Sequence, residues 1–98
     1  MEDNYSLRLM AASGLLARRV REAVKHLRPL AVTSGESGSM RQGWCGSDSI
    51  LFVQLRYPGL DMYIHSGPFS TPKEGLEMLP AFEQRAIDLF RAILREDT

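Results

Sequence analysis

The chain has 98 residues, 44% apolar and 24% charged, with equal numbers of acidic and basic groups. That balance excludes a disordered chain and leaves no global field to draw in nucleic acid or a membrane. The single cysteine, Cys45, excludes a disulfide framework, and with only two histidines it excludes a Cys/His zinc cluster.

Charge is nevertheless uneven. Residues 1–29 hold six basic and three acidic groups, residues 30–72 two and three, and residues 73–98 four and six. Arginine outnumbers lysine ten to two, and arginine is the better residue for planar, desolvated contacts. One domain over 1–98 is expected, since a chain of this size buries roughly two thirds of its unfolded surface without staples. The acidic start MEDNYS is unlike a signal peptide, and no apolar run approaches membrane-spanning length. With an unpaired thiol, a cytoplasmic location and no membrane partner are expected.

In chain order, the first element is a helix ending near Leu27. Leu16, Val20, Ala23, Val24 and Leu27 recur on one face of a 3.6-residue period. Arg18, Arg21, Lys25 and Arg28 line the other side, and Pro29 stops the helix. A start near Asn4 or Ser6 is favoured; a loosely attached arm over 1–12 is the alternative. LAVTS, 30–34, predicts a short strand, SGESGS, 34–39, a flexible turn, and MRQGWC, 40–45, a returning strand. GSDS, 46–49, predicts another turn.

LFVQLRYPGLDMYIHS, 51–66, predicts a hairpin about Pro58-Gly59, a type II signature. If Tyr57 faces Leu60, then Leu55 faces Met62 and Val53 faces Ile64, all apolar. On the other side Arg56 faces Asp61, Gln54 faces Tyr63 and Phe52 faces His65. A one-residue slip would break both patterns. The apolar side is expected to be core under the helices.

Thr71-Pro72-Lys73-Glu74 predicts a capped helix start. Pro80 predicts a break, with a short turn over 72–78 and a new helix carrying Phe82, Ala86, Leu89, Phe90 and Ile93 inward. Ile87 and Leu94 fall at the edge of that stripe and look under-buried. The fold class is therefore α+β: helix, antiparallel meander of two to four strands, helix, with both helices on one face of the sheet.

No catalytic, cofactor or metal motif stands out. Gly38 to Gly43 matches the spacing of a phosphate loop, but Trp44 and Cys45 follow where Lys and Ser or Thr are needed. GESGS, 35–39, has Ser39 where a nucleophile elbow needs glycine. Cys45 with His26 or His65 would make a thiolate–imidazolium pair; the plainer reading is a small buried thiol. The helix–strands–helix order resembles the double-stranded RNA-binding domain, in element order only. The resemblance implies a lysine-rich start to the last helix as a phosphate contact. Lys73-Glu74-Gly75-Leu76-Glu77 departs from that pattern and removes it.

The outer side of the hairpin is the strongest functional feature. Ile50, Phe52, Arg56 and Tyr63, with Trp44 near, have the composition of an interface core. Two plainer readings compete: the N-terminal segment folds over this face, or a misplaced strand covers it. The expectation is a small regulatory or inhibitory protein, not an enzyme and without cofactors. It would act by binding another protein, a transcription factor or an enzyme, in the manner of an antiactivator, and would form a homodimer. Arg18, Arg21, Lys25 and Arg28 are either a solvated face, a dock for an acidic protein, or, in the runner-up reading, a nucleic-acid contact. A small Cys/His enzyme is the third reading.

Overall fold

A computed structural model describes residues 4–38 and 49–95. The strand expected over 40–45, and with it Trp44 and Cys45, lies outside the described residues. The elements are α1 (Tyr5–Val24), a 3-10 turn (Lys25–Leu27), β1 (Ala31–Ser37), β2 (Ile50–Tyr57), β3 (Leu60–His65) and α2 (Pro72–Arg95). The strands form one antiparallel sheet in the order β1-β2-β3. Both helices pack on the same face of it, as the α+β reading requires.

The hairpin has the register its side chains dictate. Tyr57 pairs with Leu60, Leu55 with Met62, Val53 with Ile64, Arg56 with Asp61, Gln54 with Tyr63 and Phe52 with His65. Only Pro58 and Gly59 lie outside the ladder, and Gly59 has φ +75°, which the second central position of a type II turn demands. Leu51, Val53 and Leu55 are fully buried. Their β3 neighbours are less covered than expected: Met62 and Ile64 are half-buried and Leu60 is 49% exposed. The helices lie over β1 and β2, so β3 receives their cover from one side only.

α1 is a single helix from Tyr5. Its core stripe is Leu9, Ser13, Leu16, Val20 and Val24. Tyr5–Ala12 are therefore not a loose arm: Leu9 has no exposed surface and sits in the main core. The helix tightens into the 3-10 turn, and Arg28 then takes a left-handed conformation (φ 58°, ψ 52°), its amide donating to the Lys25 carbonyl. Pro29 follows, so the chain cannot continue as helix.

The polar stretch after Pro29 folds differently from expectation. β1 starts at Ala31 and runs on through Ser37, absorbing 34–37 of the segment read as a flexible turn. Every residue from Ala31 to Ser37 is paired with β2. Ladder hydrogen bonds fix backbone whatever the side chains, and the Phe52 ring lies 3.3 Å from where a Gly35 side chain would begin, covering the bare backbone.

α2 is likewise one element, with no break at Pro80. Its start is the capping box: the Glu74 amide donates to Thr71 Oγ1 and the Thr71 amide to Glu74 Oε1, both at 3.2 Å. An internal proline forfeits one backbone bond and crowds the preceding turn, costing about 3 kcal/mol. Packing on both sides of it offsets that. Leu76, Met78 and Leu79 lie against the core before Pro80; Phe82, Ala86, Ile87 and Phe90 lie in it after. The stripe is also rotated from expectation. Ile87 is 7% exposed and Leu94 packs on the core, so neither is under-buried; Ile93, expected inward, is 49% exposed.

The two helices run parallel. A side chain at Gly75 would strike Leu9; Arg19 pairs with Glu83; the Arg91 guanidinium donates to the Ala23 carbonyl at 3.0 Å. That last bond satisfies one of the carbonyls left open at the end of α1.

Candidate protein-binding face

Alternation along the strands sends Phe52, Gln54 and Arg56 of β2 and Asp61, Tyr63 and His65 of β3 to the face opposite both helices. Ile50 and, from β1, Thr33 and Gly35 share it. α1 lies on the other face, so the N-terminal helix does not cover these residues.

The centre of the face is a stacked pair. The Phe52 and Tyr63 rings are 5.7 Å apart and inclined by 14°. The His65 ring continues the row, 6.0 Å from Tyr63 and tilted by 51°. Such aromatic pairs contribute roughly 0.5–1.5 kcal/mol beyond their burial. Even so, Tyr63 is 52% exposed and Phe52 and Ile50 are half-buried. Arg56 and Asp61 face each other at 3.6 Å on the exposed surface nearer the turn, a pair worth a few tenths of a kcal/mol. The structure thus brings together Phe52, Tyr63, Arg56 and Ile50 of the expected site. Trp44 belongs to the residues not described.

The face continues around the β1 edge. An open groove of about 610 Å³ is lined by Met10, Ser13 and Gly14 of α1, by Ser34–Ser37, and by Phe52 and Tyr63. At Gly14 nothing lies within 4 Å of where a side chain would begin, whereas at Gly35 the Phe52 ring covers the backbone. Nothing in the residue pattern singled the groove out, since Ser34, Gly35, Glu36 and Ser37 read as a turn.

The basic residues are positioned by the helix. Arg18 and Arg21 are on α1, Lys25 opens the 3-10 turn, and all three are exposed. Arg28 is exposed too, but its left-handed backbone sets it outside the helical row. Lys25 donates to Glu22 at 2.6 Å, and that bond with the carboxylate's charge holds the ammonium pKa above its ordinary value. Among the described residues neither Arg18 nor Arg21 is in an ion pair.

Of the residues offered for a thiol site, His26 and His65 are both exposed, and His65 Nδ1 lies 2.8 Å from its neighbour's carbonyl, that of Ser66. Among the described residues no three His, Cys, Asp or Glu side chains are grouped to hold a metal ion, and no helix is long and apolar enough to cross a membrane. Comparison with family models, with curated proteins and with solved structures gives no match.

Proposed function

We propose that this chain is a small cytoplasmic regulator or inhibitor that acts by binding another protein through the outer sheet face. The observation that carries this is the stacked Phe52–Tyr63 pair, standing on the face that neither helix covers. Aromatic rings with one arginine, few other charges and a surround of small residues suit a desolvated contact. A protein this small exerts control by masking a surface, such as a transcription factor's assembly face or an enzyme's ligand site. The Arg56–Asp61 pair makes the face self-complementary in charge, so a second copy of the chain is the other partner it suits, and the free protein is a homodimer on this reading.

The test is the double variant Phe52→Ala/Tyr63→Ala. It is expected to keep the native far-ultraviolet circular dichroism and a cooperative melt while losing association, measured by light scattering and by titration of the captured partner. Unchanged association in a folded double variant would sink the proposal.

A further inference from the structure

We propose that the open edge of β3 is where two copies of this chain join, antiparallel and edge to edge, so that their sheets become one; this rests on the homodimer of the reading above and places its seam at the β3 margin of the outer face. Among the described residues β3 pairs only with β2. The Ser66 amide donates to the Leu51 carbonyl at 2.8 Å, which sets the phase of that ladder. Bonding direction alternates along an antiparallel strand. Leu60, Met62 and Ile64 therefore bond to β2, while Asp61, Tyr63 and His65 turn their amides and carbonyls to the open edge. Edges that avoid pairing carry an inward charge, a proline or a bulge. Leu60–His65 has none of these: its inward residues are Leu60, Met62 and Ile64, and its ladder with β2 is unbroken.

The half-open cover of β3 fixes what an occupant must bring. Leu60 is 49% exposed and Met62 and Ile64 are half-buried, although all three are on the helix side of the sheet. α1 lies over β1, and Glu83 and Arg91 are the α2 residues that reach across to α1. With 3.6 residues per turn, Leu89 and Ile93 fall on the flank of α2 turned away from α1, toward β3. There Ile93 is 49% exposed and Leu89 half-buried. A second copy supplies both missing neighbours at once. Related by a two-fold axis through the sheet, it continues the strand order and sets its own α2 flank on the same side.

A two-fold seam asks a strand to complement itself, and β3 does. With Tyr63 opposite the partner's Tyr63, all three outward residues bond. Asp61 then falls opposite the partner's His65, and Met62 opposite the partner's Ile64. A carboxylate meets an imidazole at each end of the seam, and apolar residues meet on the helix side. Centring the seam on Asp61 would instead oppose two carboxylates. The chosen register also brings the two Phe52–Tyr63 pairs side by side on the outer face.

The test is made on the full chain. Its mass is measured by sedimentation from about 1 μM to about 1 mM, because a dimer responds to concentration. Amide exchange is read by NMR. Expected is a dimer in which the Asp61, Tyr63 and His65 amides exchange about tenfold or more slowly than in the dissociated chain. In a dimer mixed from labelled and unlabelled chains, a nuclear Overhauser contact is expected between the Hα protons of Met62 and the partner's Ile64, which face each other in a non-hydrogen-bonded pair. His65→Asp opposes two carboxylates at each end of the seam and is expected to weaken the dimer about tenfold. Asp61→Lys/His65→Asp restores opposite charges and is expected to recover it. A cooperative melt shows that each variant folds. Undiminished dimerisation of His65→Asp would overturn the proposal, as would failure of the double variant to recover it. A dimer with perturbation confined to Phe52, Gln54 and Arg56, and with the β3 amides unprotected, would overturn the seam while leaving outer-face association intact. A monomer throughout would also overturn the seam, and binding of another protein would then stand or fall by Phe52→Ala/Tyr63→Ala. Amides of Asp61, Tyr63 and His65 already protected in the monomer would overturn it too, since the chain itself would then cover the edge.

Discussion

The amide of Ala17 donates to the hydroxyl of Ser34 at 2.8 Å, joining the middle of α1 to the middle of β1 across the inner face. The same hydroxyl donates to the Ser13 carbonyl at 2.5 Å. In an α-helix that carbonyl and that amide are each other's partners, so Ser34 bridges one turn of α1 and ties the helix to the strand at a fixed height. Ser34→Ala is expected to destabilise the protein by about 0.5–1.5 kcal/mol. The loss stays modest because the Ala17 amide and the Ser13 carbonyl have each other as helical partners once the hydroxyl is gone. Urea denaturation measures it; no change in midpoint would mean that the bridge contributes nothing.

Two glycines in the helices predict opposite signs. At Gly14 an added methyl meets nothing within 4 Å. Alanine is the better helix former by about 1 kcal/mol, so Gly14→Ala is expected to raise the melting temperature. At Gly75 the same methyl would lie 2.7 Å from Leu9 Cδ2 and 2.9 Å from Phe69 Cε2. Both side chains are buried in the core and have little room to retreat. Gly75→Ala is expected to cost about 1–3 kcal/mol despite its gain in propensity. Calorimetry of the pair, in the same buffer, decides whether space or propensity governs each site.

Those glycines mark where the sequence was legible and where it was not. The hairpin register could be read because both faces of 51–66 are patterned, and only one alignment satisfies both. The inner stripe of α1 could be read from Leu16 onward, because apolar residues recur there. It faded toward the start because Ser13 occupies a core position and Leu9 is isolated from the run. β1 beyond Ser34 could not be read: its inward positions are Ser34 and Glu36, which meet a helix backbone and a groove rather than a core, so alternation never appears. The aromatic outer face was visible as composition. The groove beside it was not, since it is made by the approach of α1 to β1, which is a tertiary fact.

Tyr57 links the hairpin to the end of the first helix. Its hydroxyl donates to the Leu27 carbonyl at 3.0 Å, and burial raises the phenol's pKa above the ordinary value of 10.0. A raised pKa in the folded state means that the folded protein holds the proton more tightly than the unfolded chain. The associated stability is present below about pH 10 and is lost as pH climbs through the folded-state value. Tyr57→Phe is expected to cost about 0.5–1.5 kcal/mol at neutral pH and to flatten the alkaline limb of the stability curve. Denaturation midpoints of both proteins from neutral pH upward check this; parallel curves would remove the phenol from the account.

Pro80 is the clearest conflict between local preference and tertiary packing. It sits inside a 24-residue helix, exposed, with core residues on both sides along the chain. Its ring denies the Leu76 carbonyl its usual donor. Leu76 is half-buried and packs on the core, so the helix bears this cost to keep Leu76, Leu79, Phe82 and Ala86 on one surface. Replacing the proline should recover much of it. Pro80→Ala is expected to stabilise the fold by about 1–2 kcal/mol: the regained bond and relieved crowding outweigh the entropy that alanine returns to the unfolded chain. Amide exchange offers a check at single-residue resolution, because the amide that the substitution introduces should be as protected as its helical neighbours. A loss of stability would mean that the proline ring itself contributes packing, beside Leu15 and Leu79 in the shallow groove between the two helices.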